Sequence, residues 1–188
     1  VVVHALRRRV SVPVGVTAGA WAEPDPVARM SRVGGWSVLP DFASVNGHEP
    51  GAQEVAEQLI ALGAGVEAGI RSGTDGAARF AGSPSAPKVP RVLAQVTDPD
   101  PETAEASARA LPAELGDAHG RPVLLHGEEG GAWPVLRLAG RPGLATRVDL
   151  EDTLVLPDGQ RARSNAELAV AALRAHGRAA EGRDVTSR

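Results

Sequence analysis

Thr146-Arg147-Val148-Asp149-Leu150-Glu151-Asp152 alternates apolar and charged residues, and the fold turns on what this alternation means. Val148 and Leu150, with Leu154 and Val155 beyond, carry the apolar content of a short strand. Arg147, Asp149 and Glu151 share the other parity, so a strand would put all three on one side. Buried charges cost several kcal/mol unless they are paired or bound to a metal, so such a face is not an ordinary core. Pro157-Asp158-Gly159 signals a turn. Ser164-Asn165-Ala166-Glu167 then has the capping-box pattern that opens a helix. The stretch therefore reads as a strand with an acid-loaded carboxyl end that leads into a loop and a helix. An edge strand with solvated charges is the plainer alternative.

Working outward, strands and helices alternate. Strands are expected at Val10–Val16, Asp41–Asn46, Gly65–Ile70, Arg91–Val96, Pro122–Leu125 and the acid-tipped stretch. Helices are expected at Val27–Trp36, Pro50–Leu62, Thr74–Ala81, Pro101–Leu115 (Pro112 being a candidate breaker), Ala132–Ala139 and Asn165–His176. The pattern predicts an α/β protein with a parallel sheet covered by helices. No strand is followed by the glycine-rich dinucleotide fingerprint, which weighs against a doubly wound nucleotide-binding sheet. Polar residues end nearly every strand: Thr17, Ser44 and Asn46, Glu67, Thr97, His126 and Glu128, Glu151 and Asp152. Such tips converging on one mouth define a (β/α)8 TIM-barrel type.

A full barrel takes roughly 250 residues. The 188 residues here accommodate about six β/α units, preceded by Val1–Arg9, which reads as the tail of a helix. The expectation is one partial barrel domain over residues 1–188, lacking its first two units, with a loose polar tail from 177.

Composition excludes several classes of function. A net charge of -3 gives no basic field for nucleic acid. The absence of cysteine rules out disulfides. Neither a leader nor a membrane-length apolar run is visible, so the default location is cytoplasmic. The single lysine, Lys88, lies in a proline-rich loop, which argues against Schiff-base chemistry.

The residues also resemble a known family. Arg147-Val148-Asp149-Leu150-Glu151-Asp152 followed by Ser164-Asn165-Ala166-Glu167-Leu168 resembles the last strand and helix of the β-keto acid cleavage enzymes. Pro13-Val14-Gly15-Val16-Thr17-Ala18-Gly19-Ala20-Trp21 is similar to that family's third strand, and Pro40-Asp41-Phe42-Ala43-Ser44-Val45-Asn46 to its fourth. Gly65-Val66-Glu67 sits where its fifth strand carries an acid.

The resemblance implies a zinc-dependent barrel in which a β-keto acid and acetyl-CoA give acetoacetate and a new CoA thioester. It implies Glu151 as a zinc ligand and Arg147 and Asp152 as catalytic residues. Thr17, Gly19, Ser44, Asn46 and Glu67 would line the substrate pocket, and a homo-oligomer is expected. Two departures stand out. The family's His-x-His zinc pair is missing, since His4, His48, His119, His126 and His176 are scattered. Asp149 replaces an expected glycine. His126 with Glu128 is the only other candidate metal pair, and a hydrogen-bonded pocket histidine is the favoured reading there. A non-catalytic module that binds an acid metabolite, or another metal-dependent barrel aldolase, would fit the same residues.

Overall fold

The computed structural model describes residues 2–181. Its strands are β1 (Gly15–Thr17), β2 (Phe42–Asn46), β3 (Gly65–Arg71), β4 (Arg91–Val96) and β5 (Val123–Gly127). Its helices are α1 (Val2–Arg7), α2 (Pro26–Gly34), α3 (Ala52–Leu62), α4 (Gly76–Gly82), α5 (Pro101–Leu115), α6 (Ala132–Gly140) and α7 (Asn165–Glu181). The strands form one parallel sheet in chain order. That order never reverses, so the described strands contain no doubly wound switch point.

The chain divides into two compact units. The first comprises residues 1–70, 74–92 and 117–121. Within it Thr17 pairs with Ser44, and Ser44 with Glu67. Its core includes Val33, Val45, Val55, Leu59, Val66, Ile70 and Phe80. Asp25 caps α2 by accepting from the Ala28 N–H at 2.7 Å, with proline at the first turn. Gly63 ends α3 at φ 87°, a left-handed cap that glycine adopts without steric cost.

The second unit comprises residues 71–73, 93–116 and 122–188. Its core gathers Leu111 and Leu115 of α5, Leu124 and Leu125 of β5, and Val135 and Leu136 of α6. Trp133, Leu136, Ala162, Leu168 and Ala175 form a further cluster, with Val148 and Leu156 packed on it.

Three expectations are corrected. First, the acid-tipped stretch is not a sixth strand. Only the Leu124–Ala145 bridge survives of that pairing. Beyond it the chain turns, because the Asp149 carboxylate accepts the N–H groups of Glu151 and Asp152 at 2.8 and 3.2 Å. A short acid that bonds to the backbone two and three residues on competes with a strand ladder. Arg147, Asp149 and Glu151 therefore do not share a strand face.

Second, Val10–Val16 reduces to β1. Pro13 has no N–H to give, and the Val14 N–H goes to the Asp41 side chain at 2.7 Å. Third, α7 continues past Gly177 to Glu181, and the rest of the expected tail lies outside the described residues. By contrast α5 has its expected span, Pro101–Leu115, and runs through Pro112.

Asp41 anchors the approach to β1. It takes the Val14 N–H and the Arg7 guanidinium, the latter at 2.7 Å. Both interactions favour the charged form and hold its carboxyl below the usual value. A depressed carboxyl stabilises the fold above its unfolded-state pKa, and the contribution is lost as pH falls through the lower folded-state value. Asp41→Asn should therefore lower the melting temperature at neutral pH and match the parent in strong acid. Thermal unfolding at a series of pH values checks this, and parallel curves for the two proteins would refute it.

Candidate functional site

The residues that the sequence marks most strongly meet in the second unit. Arg147 and Asp152 lie five residues apart on the turn, and His126 is near the end of β5. Arg147 Nη2 donates to Asp152 Oδ1 at 3.1 Å. His126 Nδ1 lies 3.3 Å from the same oxygen. That contact is not a formed hydrogen bond, and neither ring nitrogen has a hydrogen-bond partner among the described residues. His126 is fully buried, the Asp152 side chain is 1% exposed, and Arg147 is 33% exposed. The three side chains thus form a row from the interior to the surface. Asp152 Oδ2 and Arg147 Nε are buried without a hydrogen-bond partner among the described residues.

Electrostatics follow from the packing. Burial pushes the Asp152 carboxyl up, but contact with His126 and then with Arg147 outweighs it and holds the group below the carboxylate range. Burial likewise works against the Arg147 charge. The carboxylates of Asp152, Asp149 and Glu151 overcome it and raise the guanidinium above its usual value.

The local chain explains why these groups stay in place. The Asp152 N–H donates to the Asp149 carbonyl at 3.1 Å, and its carbonyl accepts the Glu129 N–H at 2.7 Å. Glu129 makes that bond from a left-handed conformation, φ 50°, which costs a non-glycine residue about 1–2 kcal/mol. Glycines let the corner after β5 fold tightly: a Cβ on Gly127 would come within 2.7 Å of the Gly131 carbonyl oxygen, and one on Gly131 within 2.7 Å of the Ala104 Cβ. Asn165 accepts the Leu150 N–H at 2.8 Å, and the Trp133 indole donates to the Val155 carbonyl at 2.8 Å. At the mouth of α7, Ser164 accepts the Glu167 N–H at 3.2 Å. The Glu167 carboxylate takes the Arg163 N–H rather than that of Ser164, one residue outside a standard capping box.

Glu151, the expected zinc ligand, points outward. Its side chain is 81% exposed and lies 3.5 Å from Arg147 Nη2. Among the described residues no group of three or more His, Cys, Asp or Glu is placed to hold a metal ion. Glu128, the other half of the candidate metal pair, accepts instead from the Gln95 amide. Gln95 also accepts from Arg71 at 3.3 Å.

The expected substrate residues lie in the first unit. Ser44 donates to Glu67 Oε2 at 2.5 Å, and Arg91 donates to Oε1 of the same carboxylate while its guanidinium lies 4.9 Å from the Phe42 ring centroid. Asn46 is nearby in chain but otherwise engaged, donating to Glu49 at 2.8 Å. Glu49 also takes the Ala20 N–H at 2.8 Å and lies 3.6 Å from the buried Arg29. Thr17 accepts the Gly19 N–H at 3.3 Å and is exposed. Sequence reasoning missed Arg91, Gln95 and Arg29. A signal for Arg91 existed: a charge opening an apolar strand, in need of a partner.

No family model matches the chain, and no curated protein matches it significantly.

The buried row makes a quantitative prediction. Asp152→Ala would strand Arg147 and His126 beside an empty site. Removing one partner of a buried pair costs about 3–5 kcal/mol. Urea unfolding should show a loss on that scale, whereas a change below about 1 kcal/mol, typical of an exposed pair, would show that the row carries no buried charge interaction.

Proposed function

We propose that the protein cleaves β-keto acids on a (β/α)8-type barrel, exchanging the acid with acetyl-CoA to give acetoacetate and a new CoA thioester. The observation that carries this reading is the Arg147–Asp152–His126 row. It brings together the two residues that the motif singles out, Arg147 and Asp152, and leaves a preorganised guanidinium partly open to solvent.

Each group has work suited to its chemistry. Arg147 offers a planar fork that matches a carboxylate or a developing oxyanion. Its pose is fixed before the substrate arrives, which is what makes electrostatic stabilisation effective. Asp152 has Oδ1 engaged and Oδ2 free. A buried carboxylate oxygen without a partner can accept a proton or orient the group that carries one. The resemblance would assign substrate contacts to Ser44, Glu67, Thr17, Gly19 and Asn46 as well, all of which belong to the first unit.

The described residues do not fit zinc on their own. Catalytic zinc takes about three protein ligands, and the exposed Glu151 is one. No step above is routed through a metal. The purified chain, dialysed against metal-free buffer, should retain zinc well below stoichiometry by elemental analysis. Tight retention of one equivalent would reveal a donor set that does not depend on Glu151 alone.

The activity is tested by supplying acetyl-CoA, zinc and a panel of β-keto acids, then following acetoacetate and the new thioester by mass spectrometry. Arg147→Lys should lower kcat about 100-fold or more, the scale for losing one preorganised donor. Failure of every acid in the panel to yield acetoacetate would end this reading. Full activity in Arg147→Lys would remove Arg147 from it.

A further inference from the structure

The histidine behind Arg147 has no role in the reading above, and packing alone does not account for it. His126 sits beside Leu124 and Leu125 on β5 and is fully buried. Its two ring nitrogens find no hydrogen-bond partner. Leaving a buried polar atom unsatisfied costs about 1–3 kcal/mol. A leucine would occupy the position without that expense. What the imidazole provides is a second group on Asp152 Oδ1, 3.3 Å away, next to the Arg147 contact at 3.1 Å.

One hydrogen bond, from Arg147, and one close contact, with His126, on the same oxygen restrict the carboxylate's rotation. Turning Asp152 about its terminal torsion would break both contacts at once. With only Arg147 attached, carboxylate and guanidinium could swing together, because Arg147 is the exposed end of the row. The main chain of Asp152 is already pinned through Asp149 and Glu129, so the terminal torsions are the freedom left to remove. The Gln95–Glu128 bond lies outside this row. Glu151 reaches Arg147 from the solvent side at 3.5 Å but is too exposed to hold it.

We propose that His126 is a positioning residue: through Asp152 it sets the pose of the Arg147 guanidinium that meets the acid. The assignment of Arg147 to the acid rests on the proposed function, whereas the mechanical coupling from His126 to Arg147 does not.

Three variants separate orientation from packing. Asn at 126 places an amide N–H near the position of Nδ1 and keeps a polar contact with Asp152 Oδ1. Gln keeps volume and polarity but carries its amide further out, nearer the position of Nε2. Leu keeps volume and removes the contact. The first measurement needs no substrate: hydrogen exchange of the Arg147 Nε–H, followed by nitrogen-15 NMR and assigned by its loss in Arg147→Lys. Exchange should quicken about tenfold in His126→Leu and His126→Gln, equivalent to about 1.4 kcal/mol of easier local opening, and return close to the parent rate in His126→Asn. Melting temperatures recorded alongside report packing separately.

The second measurement is steady-state kinetics with a β-keto acid, where His126→Leu should raise KM about tenfold and His126→Asn should restore it. Unchanged Arg147 exchange in folded His126→Leu or His126→Gln overturns the proposal, and so does failure of folded His126→Asn to restore it. Quickened exchange that Asn rescues, in a protein with no acetoacetate-forming activity, upholds the coupling and refutes the function instead.

Discussion

One carboxylate oxygen organises the chemistry of the second unit. Asp152 Oδ1 receives Arg147 on one side and faces His126 on the other. The carboxylate is buried, and desolvation alone would drive it toward its neutral form. The two neighbours reverse that tendency. Neither Arg147 nor His126 would hold its place as well without the acid between them: among the described residues, the arginine's Nε and both histidine ring nitrogens are without a hydrogen-bond partner. Replacing the trio by apolar side chains would probe stability, but it would also erase the only partly open guanidinium of the row.

That oxygen is in place because the backbone around it is over-determined. Asp149 bends the chain by accepting two N–H groups, and Asp152 is tied by its own N–H and carbonyl. Glu129 meets it from a strained conformation at the end of a glycine-rich corner. Strain of this sort persists only where the surroundings compel it. Here the compulsion comes from helix packing: Gly131 abuts Ala104 of α5, while Trp133 of α6 reaches across to the Val155 carbonyl. The buried cluster around Trp133 and Leu168 thus fixes a turn whose outer residues carry the charge.

The alternation of elements was legible because strand and helix periods differ and because caps such as Asp25 and Gly63 sit at the junctions. The acid-rich stretch misled for a physical reason. Its alternation of apolar and charged residues has the period of a strand, but Asp149 can satisfy the backbone locally, and that local bond wins. The position where a glycine is expected by resemblance is therefore the one that makes the turn. Arg147 and Asp152 are named together only by the resemblance, and the turn at Asp149 is what brings them into contact. The span of α5 was legible too, and the helix tolerates Pro112 because only one carbonyl near its end loses its donor. The sequence marks His126 as a pocket histidine but says nothing of what lies across from a strand end.

The chain buries two acids of the expected site, and their remaining hydrogen-bonding capacity distinguishes them. Glu67 has both oxygens occupied, one by Ser44 and one by Arg91. Its charge is balanced and its acceptors are engaged, so the cluster is complete as it stands, and a ligand would have to displace a partner to use it. Asp152 has both of its neighbours on Oδ1 and none on Oδ2. An unpaired buried oxygen is an expense that packing ordinarily eliminates. The two burials therefore call for different explanations: Glu67 is accounted for by its own unit, whereas Asp152 retains an acceptor that the described residues around it do not use. It is this leftover valence beside an ordered guanidinium, rather than the acidity of the stretch, that makes the turn at residues 147–152 the chemical centre of the second unit.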